Sequence, residues 1–230
     1  MTTLICLAAL AESMTSPTLG TLVLAGGGTT TTEMVVAFAQ AVGDRSLPIA
    51  VLAQTRENPS KDGQGSVELL LENGFTDVFL VGDRKFTAGR QREIATQLDR
   101  VAGIWIPGGD QELFLDRWGI AWGQPLLRRC HRRGVSFFGT SAGAMLTGQP
   151  MIAGSRADGT ARLRSGLGLW PVIVDTHYRE RARSMRLKGA IAEVRNGKGL
   201  GLDRGEWVIV TEGVVTFVSG TPEAIGFELP

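Results

Sequence analysis

One serine framed by glycines carries the most pointed chemistry in this chain. An apolar run over 135–138 stops at Gly139-Thr140-Ser141-Ala142-Gly143. The form is G-x-S-x-G, the pattern of a nucleophile elbow, in which a serine sits on a tight turn between a strand and a helix. Small neighbours let the backbone bend that sharply, and the first N–H groups of the helix are left free to face the reaction centre. A serine hydroxyl is a weak nucleophile near neutral pH and needs an adjacent base, most often histidine. The chain holds two histidines. His131 stands among Arg128, Arg129, Arg132 and Arg133, ahead of the elbow strand, and reads as a surface histidine near a helix C-terminus. His177 closes an apolar run that begins at Val172 and lies two residues after Asp175. A parallel strand ending there shares a sheet rim with Ser141, so His177 is the expected base.

Acyl transfer also needs two fixed donors for the oxyanion, each contributing roughly 3 kcal/mol to barrier lowering. The Ala142 N–H, next after the nucleophile, is the natural first. The Gly109 N–H, in Pro107-Gly108-Gly109-Asp110-Gln111 at the end of another apolar run, is the expected second.

These residues require elements that bring them together. Apolar, β-branched runs at 21–25, 48–53, 76–81 and 101–106 read as buried strands. Helical patterns lie between and after them, at 33–42, 66–73 (closed by Gly74), 88–100, 111–118 and 125–133. Alternating strands and helices predict an α/β fold with a mostly parallel sheet covered on both faces. Ligands in such sheets sit at the carboxyl ends of the strands. Three of those ends are glycine-rich: Gly26-Gly27-Gly28, Gly108-Gly109 and the serine turn. The first fits no phosphate-binding pattern, so it predicts a loop passing close to something rather than a nucleotide site. Residues 154–165 read as a polar stretch, 179–195 as a basic helix, and 200–203, 207–211 and 214–218 as antiparallel edge strands.

With 24 Lys and Arg against 23 Asp and Glu, the formal charge of +1 excludes a bulk field for nucleic acid. No apolar run approaches the ~20 residues of a membrane span. The two cysteines, Cys6 and Cys130, make neither a disulfide framework nor a metal site and fit a reducing, cytoplasmic setting. Residues 1–18 read as an N-terminal extension without the cationic start of a signal peptide, and 19–230 as one domain.

Three segments taken together carry a family resemblance: Pro107-Gly108-Gly109-Asp110-Gln111, Gly139-Thr140-Ser141-Ala142-Gly143-Ala144, and Asp175-Thr176-His177-Tyr178-Arg179-Glu180-Arg181-Ala182-Arg183. The chain resembles the cyanophycinase and dipeptidase E family of serine peptidases over about residues 20–220, more closely the cyanophycinase branch. The resemblance implies a three-layer α/β/α sandwich like that of the class I glutamine amidotransferases, with antiparallel C-terminal edge strands. It implies a homodimer with no metal or organic cofactor, acting on aspartyl or β-aspartyl peptides. It places Ser141 as nucleophile, His177 as base, and Asp110, Gln111, Asp175 and Thr176 in the substrate pocket. Arg181, Arg183 and Arg186 would hold substrate carboxylates, a role that suits the two-pronged guanidinium.

Two positions depart from that pattern. The branch has an acid after the aspartate of its Gly-Leu-Asp segment, and here Gly201-Leu202-Asp203 leads into Arg204. Thr176 stands where the branch has glutamine. The acid that orients His177 is therefore expected at Glu206, with Asp158 and Asp203 as alternatives. Three readings follow: a serine exopeptidase for short acidic peptides, a binding or regulatory protein that lost turnover, and an esterase of the α/β-hydrolase type.

Overall fold

Four short runs of apolar residues, each buried on both faces, form the centre of the molecule. The computed structural model describes residues 18–230, so the expected extension lies outside them except for Thr18, as does Cys6. The runs are β1 (Leu22–Ala25), β2 (Ile49–Leu52), β4 (Gly103–Ile106) and β5 (Ser136–Thr140), with the half-buried β3 (Val78–Val81) beside β2. All five run parallel. Two further strands, β10 (Trp207–Thr211) and β11 (Val214–Ser219), extend the β1 edge antiparallel. The sheet order is β11-β10-β1-β5-β4-β2-β3.

Strand alternation divides the core into two layers. Leu22, Leu24, Ala50, Leu52, Ile104, Ile106 and Phe137 face one way. They pack under α4 (Ala88–Leu98), α5 (Gln111–Trp118), α6 (Gln124–Arg132) and the short α7 (Ala142–Leu146). Val23, Ala25, Ile49, Val51, Trp105 and Phe138 face the other way. Those meet Met34, Val35 and Phe38 of α1 (Thr32–Val42) and Leu70 of α3 (Gln64–Glu72). A one-turn helix, α2 (Pro59–Asp62), precedes α3. The result is the expected three-layer α/β/α arrangement with antiparallel edge strands.

Three local expectations are corrected. The strand leading to His177, β8 (Ile173–Thr176), is not part of the main sheet. It pairs in parallel with β9 (Gly199–Leu202), which takes β12 (Glu223–Ile225) antiparallel on its other side, so β9 is no edge strand of the large sheet. The polar stretch is a hairpin, β6 (Met151–Ser155) with β7 (Ala161–Arg164). Its charges serve a docking face, because Arg162 and Arg164 pair with Glu112 of α5 and Arg164 also with Asp116. The basic helix is shorter than its pattern: α8 covers Ser184–Ala192. The Asp203 carboxylate accepts from the N–H groups of Arg179 (2.9 Å) and Glu180 (3.0 Å), holding this segment in a turn ahead of the helix.

Candidate active site

The chain reverses direction at Ser141 between β5 and α7, and the serine has φ 50° and ψ −114°. That left-handed φ strains a residue with a side chain. The turn is fixed from below, where the Ser141 N–H donates to the Ala25 carbonyl at 2.9 Å. His177 lies at the exit of β8, also at positive φ (52°), and is almost fully buried. Its Nε2 is 3.0 Å from Ser141 Oγ across 36 residues of sequence.

The other ring nitrogen, Nδ1, is 3.0 Å from Oε2 of Glu180. A carboxylate only accepts, so Nδ1 carries the hydrogen and a neutral imidazole turns its lone pair on Nε2 toward Ser141. The bond to His177 holds the Glu180 carboxyl below the usual carboxylate range, with burial opposing it and Arg204 adding to it. The second Glu180 oxygen pairs with Arg204 at 2.9 Å.

None of the three acids expected beside His177 is its partner. Glu206 is largely buried, accepts from the Asp203 N–H at 2.8 Å and the Thr221 N–H at 3.1 Å, and pairs with Arg179. Asp203 is spent on the 179–180 turn and on the Arg179 guanidinium at 2.8 Å. Asp158 is exposed in the β6–β7 turn and accepts from Thr160. The two former acids still matter to the histidine at a distance: Glu206 braces Asp203, Asp203 braces the turn, and the turn presents Glu180. The signal available in the sequence was a glutamate three residues after the histidine, and it was hidden inside what reads as a continuous helix.

The glycine-rich strand ends are explained by close approaches. A Cβ at Gly27 would lie 2.8 Å from both Cε1 and Nε2 of His177, so this loop forms the floor beneath the ring. At Gly109 (φ 142°) a Cβ would meet the Thr55 carbonyl at 2.2 Å. Thr55, buried after β2, pins that loop through its hydroxyl to the Pro107 and Gly108 carbonyls, at 3.1 Å each. Among the described residues, the N–H groups of Gly109 and Ala142 are not spent on other protein groups.

A cavity of about 360 Å³ opens beside Ser141 and His177, lined among others by Gln111, Thr176, Arg181, Arg183 and Arg186. The arginines differ. Arg186 is buried and clamps the fully buried Asp175 through Nε at 2.9 Å and a second nitrogen. Burial pushes the Asp175 carboxyl up, and Arg186 opposes that. Asp175 thus lies beneath the arginines and does not line the cavity, a correction to its expected place in the pocket. Arg183 is half-committed, 3.5 Å from Asp175 and donating at 2.6 Å to the Thr176 carbonyl. Burial lowers the Arg183 guanidinium, and neighbouring Arg186 adds to that. Arg181 is exposed, and its side chain makes no ion pair among the described residues. The Thr176 hydroxyl is buried without a hydrogen-bond partner among the described residues. Asp110 lines the cavity, yet its Oδ1 caps α5 through the Glu112 N–H at 2.7 Å. Gln111 uses its amide nitrogen to hold the hairpin, donating to Ala153 O at 3.0 Å.

His131 is buried, in contrast to its expected surface position, and its Nε2 donates to the Gly20 carbonyl at 2.7 Å. Burial lowers its pKa, and that hydrogen bond works the other way. Among the described residues no three His, Cys, Asp or Glu side chains converge as metal ligands, and no helix is long and apolar enough to cross a membrane.

A family model for peptidase family S51 matches residues 81–218. The chain is 28% identical over 207 residues to the cyanophycinase of Geminocystis herdmanii (strain PCC 6308), covering 82% of this chain and 75% of that one. It is 32% identical over 183 residues to the cyanophycinase of Synechococcus elongatus, covering 74% of this chain but only 55% of the relative. Two solved structures share the fold. One is a peptidase from an acI-B1 Actinobacterium, with TM-score 0.64, 17% identity, and 91% and 95% of the two chains covered. The other is a peptidase E-like protein from Listeria monocytogenes EGD-e, with TM-score 0.65, 15% identity, and 87% and 98% covered.

Proposed function

Because the chain belongs to peptidase family S51 and is a serine-type peptidase, we propose that it is an exopeptidase for short aspartyl or β-aspartyl peptides, working through Ser141 and His177. The observation that carries this reading is the 3.0 Å approach of Ser141 Oγ to His177 Nε2, with Nδ1 held by a carboxylate. Ser141 attacks the scissile carbonyl while His177 takes its proton and then returns it to the leaving amine. The Gly109 and Ala142 N–H groups receive the oxyanion. Glu180 fixes the imidazole tautomer and stabilises the imidazolium as it forms. A substrate carboxylate enters the arginine-lined cavity and meets Arg181 first, since Arg186 is neutralised by Asp175.

Arg204 in place of an acid is the feature that favours a protein without turnover. Glu180 removes that ground, because the histidine has a carboxylate partner from another position. The esterase reading gives no role to the arginines of the cavity. A small acidic peptide is then the partner, with neither nucleic acid nor membrane involved, and a cytoplasmic homodimer acting without a cofactor completes the proposal.

The test is a hydrolysis panel of Asp-Xaa and β-Asp-Xaa dipeptides with Ser141→Ala and His177→Ala as controls. Turnover by the wild type alone is expected. Equal turnover in both variants would overturn the mechanism.

A further inference from the structure

Ser141 and Gly109 also line a second cavity, of about 240 Å³. These two are the residues that it shares with the arginine-lined cavity, and from there the two diverge. Its walls come from the glycine-rich ends of β1 and β4, from α3, and from the loop after β2. Leu69, Trp105 and Pro107 give it an apolar side. Arg56 is the only charged side chain among the described residues that line it. The Arg56 backbone is tied on both sides: its N–H donates to Ala53 O at 2.9 Å and its carbonyl accepts from Arg117. Its exposed guanidinium makes no hydrogen bond or ion pair among the described residues. A tethered backbone with a free cation, lining the same cavity as the reacting hydroxyl, is an arrangement that receives an anion. At 240 Å³ the cavity is below the usual 300–1,000 Å³ of drug-sized sites, which suits a group the size of one amino acid.

We infer that this cavity holds the residue on the leaving side of the scissile bond and that Arg56 binds its free α-carboxylate. The inference rests on the proposed peptidase reading and deepens it. Peptide hydrolysis divides the substrate at the serine, so an acyl part and an amine part need separate seats that meet there. The cavity with Arg181 takes the acidic acyl residue, and the cavity with Arg56 remains for the amine part. In a dipeptide the leaving residue carries a carboxylate close to the scissile nitrogen, and in a longer peptide that position is an uncharged amide. Recognition of the carboxylate by Arg56 therefore selects dipeptides over longer chains. The apolar side favours a leaving residue such as leucine.

The experiment compares Asp-Leu with Asp-Leu-amide, in α- and β-linked forms, using wild type, Arg56→Lys and Arg56→Met. Wild type is expected to prefer the free acid at least about tenfold in kcat/KM, the scale of a charge-assisted hydrogen bond. The preference should fall to about one in Arg56→Met and lie between in Arg56→Lys. Because each value is a ratio within one protein, general damage cancels. Equal use of acid and amide by the wild type, or an undiminished ratio in Arg56→Met, would overturn the inference and leave the peptidase reading standing. The same pairs are titrated calorimetrically into Ser141→Ala, with and without Arg56→Met. Acid-selective binding that depends on Arg56 but comes without wild-type turnover would keep the Arg56–carboxylate contact, overturn its assignment to a leaving residue, and remove the exopeptidase reading with it. Equal binding of acid and amide, or binding of neither, overturns the inference.

Discussion

Glu180 Oε2 sits 3.0 Å from Nδ1 of His177, three residues away within one turn. The same turn is held by the Asp203 carboxylate, which accepts from the Glu180 N–H. The glutamate therefore acts on the imidazole from a braced backbone, and its own side chain is anchored on the far oxygen by Arg204. Replacement by glutamine keeps the size but allows the other tautomer. Glu180→Gln is expected to lower kcat by about 10²–10⁴ with a much smaller change in KM. Steady-state kinetics on an aspartyl anilide checks this, and an unchanged kcat would remove Glu180 from the mechanism.

Arg204 offers a rescue experiment. The cyanophycinase-like pattern expects an acid at this position, and the Arg204 Cβ lies 3.4 Å from where a Cβ at Gly28 would be, next to the loop under the histidine ring. The Arg204 side chain already reaches the Glu180 carboxylate beside Nδ1, so an acid at this position approaches the same ring nitrogen. Arg204→Glu added to Glu180→Gln should recover part of the turnover lost in the single variant. Arg204→Ala alone should cost less than Glu180→Gln, because exposed ion pairs contribute little. A double variant no more active than Glu180→Gln would show that an acid at position 204 does not reach Nδ1.

What the sequence disclosed, and what it withheld, divides along one physical line. The central strands were legible because each is a continuous apolar run buried on both faces, and Ser141 was legible because small residues must surround so sharp a turn. The partnership of β8 with β9 was not, since strand pairing is chosen in three dimensions and neither short strand carries a pattern that names its neighbour. The hairpin is masked by charges at Arg162 and Arg164, which read as a solvated stretch but meet Glu112. Glu180 was masked by Arg181 and Arg183 around it, which made a catalytic turn look like the first turn of a basic helix. His131 reads as a surface residue because its neighbours are four arginines, while its own ring points inward to Gly20.

Gly27 gives a test of the floor beneath the histidine. With φ at 119° and 2.8 Å of room to the ring, a methyl group is both strained and obstructed. The ring is the easier of the two to displace, and displacement breaks the 3.0 Å contact with Ser141. Gly27→Ala is expected to fold, as judged by near-native circular dichroism and a cooperative melt, while losing at least about 10²-fold in kcat, the cost of misplacing a reacting group by an ångström. Full activity would show that the loop has slack.

The arginines should separate in their effects. Removing the Arg186 guanidinium leaves the Asp175 carboxylate buried without its bidentate partner, which costs about 3–5 kcal/mol in stability. Arg181 has no such debt, and its loss should leave the denaturation midpoint close to that of the wild type while raising KM for aspartyl substrates. Urea melts and kinetics of Arg186→Met and Arg181→Met read both quantities. A KM effect of equal size in the two, with no stability difference, would contradict the assignment of Arg186 as a buried brace.

His131 makes stability depend on pH. Its folded pKa is depressed, with burial as the main cause and the Gly20 hydrogen bond opposing. The unfolded value is about 6.5. Above that pH the ring is neutral in both states, and the stability gained from its buried contacts is fully present. As pH falls below it, the unfolded chain takes up the proton first, so stability declines until the folded value is passed. Urea midpoints measured from pH 7.5 down to 5 should therefore decrease, and part of the decrease should vanish in His131→Gln, which retains a donor for Gly20 but does not titrate in this range. Because the acidic groups of the chain contribute their own slopes lower down, the comparison is the difference between the two proteins at each pH. A difference that stays constant over the interval would mean that the His131 proton is held equally well in both states.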